Sequence, residues 1–276
     1  MLTITRGVVK ETAFSELREQ GITCVPGVLS KAECRNYVSN LEAILEERMN
    51  QGEFVGNERY QVIYNYFLGR PDMFGLMYQD TTDTIMTEII DQDYVLVSPS
   101  ARNRQIRTNM IRSVPTSGVG WHTDSRFIGK TPKMLRPTPI YFSVVALDDL
   151  SKDNGATFYI PASHQWYRRP ENRDAELESL VLEAEAGSVI YFDAALWHRV
   201  GDPGVRSRWV IFNMFGPWFM KPYFRFHEMF SPAEMETFPP KIRQLLHWDS
   251  LPPKDHREST ITLRRVRAQA AAAAAE

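Results

Sequence analysis

The sequence predicts a mainly β protein with flanking helices, its core an antiparallel sandwich or barrel. Three observations carry this expectation. Short runs of β-branched and aromatic residues recur between positions 104 and 220, separated by turn residues and not by helices, which disfavours a βαβ fold. The chain before about residue 95 carries a helix-start signal and helical periodicity. Beyond Pro217 it is punctuated by Pro222, Pro232, Pro239, Pro240, Pro252 and Pro253, the mark of loops and short helices.

Taken in order, residues 1–95 are expected to be mainly helical. Residues 21–29 read as a short strand and a turn. Ser30 and Glu33 form a capping box, in which the hydroxyl caps the backbone three residues on and the carboxylate reaches back. Tyr37, Leu41 and Leu45 follow at helical spacing and predict a helix over 34–49. The aromatics Phe54, Tyr60, Tyr64, Tyr66 and Phe67 have no clear period and suit either packing or a cover over a pocket. Over 104–112, Ile106, Thr108 and Met110 alternate with Gln105, Arg107 and Asn109, the period of a strand. Further strands are expected over 138–147, over 156–160 before Pro161, over 187–193 and over 208–215. Asn154-Gly155 reads as a turn, and a short helix fits 241–246. One domain is expected over 1–276: a mainly helical part to 95, a β core over 96–220, and a C-terminal helical and loop extension over 221–276. The alanine-rich tail 268–276 is of low complexity and is assigned no role.

Composition narrows the function classes. At 43% hydrophobic and 12% aromatic, the 276 residues can fill a core. A net charge of −2 gives no global field towards nucleic acid or an anionic membrane. The basic run Leu263-Arg264-Arg265-Val266-Arg267 reads as a solvated terminal helix. Cys24 and Cys34 are too few for a disulfide framework or a cysteine zinc site, and are expected to be reduced and structural. With no signal-peptide layout and no apolar run of roughly 20 residues, the expected location is cytoplasmic.

The chemistry concentrates in Trp121-His122-Thr123-Asp124 and Trp197-His198. Residues two apart on an extended segment point the same way. A histidine and an aspartate so placed, joined by a later histidine at a strand end, make a 2-His-1-carboxylate set that suits Fe(II) and leaves coordination positions open. Such a triplet arises often by chance, so its neighbours matter. Arg206 and Arg208 follow the second histidine by eight and ten positions. An oxo-diacid held on iron at one end needs a fixed cation at the other, and arginine grips a carboxylate bidentately. Arg208 opens the apolar run Trp209-Val210-Ile211-Phe212 and is the better anchored of the two; Arg206 is the alternative.

Over roughly residues 15–220 the sequence resembles the phytanoyl-CoA dioxygenase family of iron and 2-oxoglutarate oxygenases. The resemblance rests on Trp121 to Asp124, on the run from Val145 through Asn154-Gly155 to Pro161-Ala162-Ser163-His164, and on Gly187-Ser188 through His198 to Arg208. It implies a double-stranded β-helix, a cupin-like jelly roll, with Fe(II), 2-oxoglutarate and O2 as cofactor and cosubstrates. It implies His122, Asp124 and His198 as iron ligands and Arg208 as partner of the distal 2-oxoglutarate carboxylate. Asn109 and Arg107 match the family's cosubstrate-facing positions, Gln105 a substrate- or cosubstrate-facing one, and Thr157 faces the same pocket. Two features depart from many relatives: Val200 stands where a small hydroxyl residue is common, and the arginine spacing is about one residue short. The carboxylate at Asp124 argues against halogenation and for hydroxylation, desaturation or ring formation.

Trp121, Arg126, Phe127 and Trp218, with the aromatics around Tyr60 to Phe67, are expected to enclose a small organic substrate, a specialised metabolite or an amino-acid-like compound. No nucleic-acid or membrane partner is expected, and the chain is read as a monomer or homodimer. His164, His227, His247 and His256 are given structural roles. Trp218, Phe219, Tyr223, Phe224 and Phe226 are read as core or dimer contact ahead of substrate wall. The rival readings are a jelly-roll metalloenzyme that uses no oxo acid and a non-catalytic binding protein.

Overall fold

The strand expected at 208–215 is the spine of the molecule. The computed structural model describes residues 6–53, 55–57, 60–104, 120–125, 139–166, 168, 170, 178–201 and 208–249. The helices among them are α1 (Arg6–Gln20), α2 (Lys31–Asn50), α3 (Asp80–Ile89), α4 (Pro232–Thr237) and α5 (Pro240–Leu245). The strands are β1 (Ile22–Val25), β2 (Val55–Asn57), β3 (Tyr60–Tyr64), β4 (Val95–Arg104), β5 (Tyr141–Ala146), β6 (Phe158–Tyr159), β7 (Leu180–Val181), β8 (Val189–Asp193), β9 (His198–Arg199) and β10 (Arg208–Gly216). Strand β10 pairs antiparallel with β4 on one side and β5 on the other, in a seven-stranded sheet ordered β1-β8-β5-β10-β4-β3-β2. A smaller antiparallel sheet, β7-β6-β9, carries the second histidine. Two antiparallel sheets with helices outside the larger one make the jelly roll.

The large sheet is buried on both faces, so its central strands are nearly continuous apolar runs. On the outer face, Trp209, Ile211 and Phe215 of β10 pack with Leu41 and Leu45 of α2, Ile85 and Met86 of α3, and Ile242 of α5. On the inner face, Val210 and Met214 join Phe142, Val144, Ile190 and Phe192 and meet Ala156, Leu182 and Leu196 from beneath the small sheet. Each fully buried large apolar side chain contributes roughly 1.5–3 kcal/mol.

The capping box forms as expected: the Glu33 backbone N–H donates to Ser30 Oγ at 3.2 Å, and the Ser30 backbone N–H donates to Glu33 Oε2 at 2.7 Å. It launches α2, which buries Cys34, Leu41, Ile44 and Leu45. Gly187 enters β8 at φ +92°, where a Cβ would stand 2.1 Å from the Leu29 carbonyl oxygen, so a side chain is excluded. Cys24 and Cys34 are free thiols. No helix among the described residues is long and apolar enough to cross a membrane.

The N-terminal segment holds α1, α2 and α3 as well as strands. It contributes three strands, β1, β2 and β3, to the large sheet, and β4 begins at Val95. The strand expected over 104–112 lies outside the described residues beyond Arg104, which closes β4.

Strand β10 is tied to the helical layer by one buried polar knot. Asn213 is 0% exposed; its amide donates to the Leu76 carbonyl at 2.8 Å, and its Oδ1 accepts from the Tyr66 hydroxyl at 2.8 Å. Asn213→Leu would orphan both partners, and each buried group left unpaired costs about 1–3 kcal/mol. Urea denaturation should report a loss of about 2–4 kcal/mol, part of which Tyr66→Phe restores in the double variant.

Candidate metal centre

The second histidine is hung from a tight bend. At the end of β8, Asp193 Oδ1 accepts from the Ala195 backbone N–H at 2.7 Å and its carbonyl accepts from Leu196. The Trp197 N–H then donates to Ser163 Oγ at 3.0 Å, and its carbonyl accepts from Ile160. The chain that emerges as β9 therefore has no slack, and His198 is set opposite Tyr159 of β6.

His122 joins that sheet through one residue. Its N–H donates to the His198 carbonyl at 3.0 Å, and the His198 N–H donates to the His122 carbonyl at 3.0 Å. Residues directly opposite in an antiparallel pair present their side chains on the same face. The two imidazoles consequently lie side by side, ring centroids 4.3 Å apart. The Ser125 N–H donates to the Ala194 carbonyl at 2.8 Å and holds the far side of the turn, bringing Asp124 beneath both rings. Asp124 Oδ2 stands 3.4 Å from His198 Nε2, and Oδ1 stands 4.0 Å from His122 Nε2. One ligand atom from each of the three residues lies within 4.8 Å of the others. His122 is exposed, Asp124 half-buried and His198 buried, so the cluster opens on the His122 side.

Each ring is locked by its other nitrogen. His122 Nδ1 lies 2.7 Å from the Gly120 carbonyl, and His198 Nδ1 lies 2.9 Å from the Leu196 carbonyl. A carbonyl only accepts, so both Nδ1 atoms carry hydrogen and both Nε2 lone pairs are left for a metal. Burial and the neighbouring His198 hold the His122 pKa below the ordinary histidine value, which favours the neutral ligand form. Burial opposes the Asp124 charge. Hydrogen bonding and charge from His198, then His122 and Arg102, outweigh it and keep the carboxyl below its usual range. Two imidazoles and a carboxylate without thiolate form a donor set suited to Fe(II).

Two cavities flank the cluster. One of about 40 Å3, on the His198 side, is walled by Val144, Thr157, Phe192 and Leu196. The other, of about 270 Å3 on the Asp124 side, is walled by Tyr64, Ser98, Ser100, Thr123, Met214 and Tyr223. Arg102 and Phe212 line both.

Of the residues singled out from sequence, His122, Asp124 and His198 come together and Thr157 reaches the smaller cavity. Arg208 is buried at 4% exposure and donates to the Gly155 carbonyl at 2.6 Å, two residues before Thr157 in the chain. Trp121 lies beneath the Arg199 guanidinium, 5.7 Å from it, and Trp218 meets Phe219 edge-on; neither lines the two cavities. Gln105, Arg107, Asn109, Arg126, Phe127 and Arg206 lie outside the described residues. In the C-terminal aromatic group, Phe226 is core and Phe224 packs on it, whereas Tyr223 lines the larger cavity. His164 sits in a turn, its Nε2 3.2 Å from the Arg18 carbonyl, in keeping with a structural role. Arg102 escaped the sequence reading. The signal was a lone cation among the small residues of 98–103.

Comparison with known proteins agrees with this geometry. The phytanoyl-CoA dioxygenase family model matches residues 17–202. A protein named dioxygenase af480, from Aspergillus fumigatus, is 26% identical over 86% of this chain and 76% of its own length. Among solved structures, HygX from Streptomyces hygroscopicus, with nickel, 2-oxoglutarate and hygromycin B bound, aligns with a TM-score of 0.59 at 17% identity over 80% of this chain and 90% of its own. SnoN, a non-heme alpha ketoglutarate dependent epimerase from nogalamycin biosynthesis, aligns at 0.54 and 19% identity over 75% of this chain and 82% of its own. At these identities the two structures speak for the fold, and the family match, which spans the triad and strands of both sheets up to β9, speaks for descent. The chain belongs to the phytanoyl-CoA dioxygenase family.

Proposed function

We infer that the protein is an Fe(II)- and 2-oxoglutarate-dependent dioxygenase that hydroxylates a C–H bond of a small organic molecule, releasing succinate and CO2. The observation that carries this is the pairing of His122 and His198 across one backbone bridge, with both Nδ1 hydrogens spent on carbonyls and both Nε2 atoms beside Asp124. A binding protein has no need of two imidazoles fixed in the same tautomer. Bound there, Fe(II) supplies oxygen activation coupled to oxidative decarboxylation of the oxo acid.

The chain's own part is placement. His122, Asp124 and His198 hold the metal from one side. Thr157, at the wall of the smaller cavity, and Arg208, for the distal carboxylate, receive 2-oxoglutarate, with Asn109 and Arg107 as further contacts and Arg206 as the alternative cation. The apolar walls Val144, Phe192 and Leu196 exclude water from the acid's methylene chain. Trp121, Gln105, Arg126, Phe127 and Trp218 are proposed to face the substrate. The antibiotic-related names of HygX and SnoN support a specialised metabolite as substrate class. A carboxylate at Asp124 favours hydroxylation over halogenation.

Protein loaded anaerobically with iron, supplied with 2-oxoglutarate and exposed to air should form succinate slowly even without its substrate. His122→Ala and His198→Ala should each reduce this to background. Iron-independent succinate, or an unchanged rate in either variant, would remove the assignment. Arg208→Met should weaken 2-oxoglutarate binding to nickel-loaded protein by about tenfold or more, the worth of a charge-assisted fork. Calorimetry on Arg208→Met and Arg206→Met decides between the two arginines.

A further inference from the structure

The larger cavity contains a cation, Arg102, that also borders the smaller one and to which no direct partner in the metal or cosubstrate site has been assigned. Arg102 stands on β4, directly opposite Val210 on one side and Val62 on the other, so its partners in the ladder bring no charge. Its guanidinium lies 4.3 Å over the Phe212 ring, and its Nε donates to Ser100 Oγ at 3.1 Å. The stack and that bond fix the plane of the fork through Nε and leave the two terminal nitrogens to the cavity. Among the described residues Arg102 forms no ion pair. Its charge acts on Asp124, which lines the same cavity, but no carboxylate pairs with the fork directly among the described residues, so the fork can take an anion.

The surroundings say what kind of anion. Tyr64, Ser98, Ser100, Thr123 and Tyr223 give the chamber a hydroxyl-bearing wall, and Met214 gives it an apolar one. In the β4–β10 ladder, Ser98 pairs with Met214 and Arg102 with Val210, so the chamber runs along the ladder away from Arg208, and Asp124 is among its walls. An arginine fixed by stacking matches the plane of a carboxylate. We propose that Arg102 anchors a carboxylate of the organic substrate in this chamber, so that the enzyme takes carboxylic or amino-acid-like metabolites and presents them beside the metal triad. The assignment rests on the oxygenase reading and adds the specificity determinant to it.

The test uses nickel-loaded protein, first titrated with 2-oxoglutarate by calorimetry and then, with 2-oxoglutarate bound, with phenylacetate and phenylacetamide by ligand-observed NMR. Wild type should bind the acid about tenfold more tightly than the amide, as expected for a charged fork. Arg102→Gln should abolish that preference and Arg102→Lys should leave part of it, while 2-oxoglutarate affinity stays within about threefold in both, which also certifies their folding. Equal binding of acid and amide by wild type, or a preference that survives in Arg102→Gln, overturns the proposal. A tenfold loss of 2-oxoglutarate affinity in Arg102→Gln also overturns it and assigns the arginine to the cosubstrate. Failure of wild type to bind 2-oxoglutarate at all is a separate result, seen in the first titration, and it strikes the oxygenase reading itself.

Discussion

Everything at the metal centre depends on two hydrogen bonds, those exchanged between the backbones of His122 and His198. They bring together histidines far apart in the chain and set both side chains on one face. A slip of one residue would turn one imidazole away, because side chains alternate along an extended chain. The bend after β8 and the Ser125–Ala194 bond prevent that slip from either side. The same backbone supplies the Gly120 and Leu196 carbonyls that fix the tautomers, so geometry and protonation are decided together.

The large sheet serves two environments at once. Its outer face is sealed by helices into a core of aromatic and branched side chains, with Asn213 and Tyr66 paired inside it. Its inner face starts equally apolar, at Phe142, Val144 and Val210, and turns polar along β4 at Ser98, Ser100 and Arg102. The stability of the first face is what allows the second to carry a cation next to a carboxylate and two imidazoles. Local polarity costs free energy that a distant, well-packed core offsets.

This division explains what the sequence made legible. The runs at 141–146 and 189–193 were readable because both their faces are buried. The capping box at Ser30, the turn at Asn154-Gly155 and the triplet His122-Thr123-Asp124 were readable because each signal is local. Strand β4 was not, and the reason is its work. Ser98, Ser100 and Arg102 replace apolar residues on the face that meets the chamber, and Pro99 interrupts the run, although prolines are rare inside sheets. The aromatics of 60–67 hid another strand. Tyr64 faces the chamber, while Tyr66 and Phe67 leave the strand to fill the core, so no single period spans them. Arg102 went unseen with its strand.

A metal held from one side also explains how one fold carries different reactions. SnoN is named as an epimerase and SnoK, of similar fold, as a carbocyclase. In such a scheme the metal and the oxo acid supply the oxidising power, and the protein decides which bond meets it. In the proposed scheme that decision does not lie in the triad, whose three side chains are assigned to the metal. It must lie in the walls that hold the rest of the substrate. In the proposed reading those walls include β4, with Ser98, Ser100 and Arg102, and the neighbouring Tyr64 and Tyr223. Substitutions there change what is presented without disturbing the His122–His198 bridge, because bridge and chamber share no backbone hydrogen bond among the described residues.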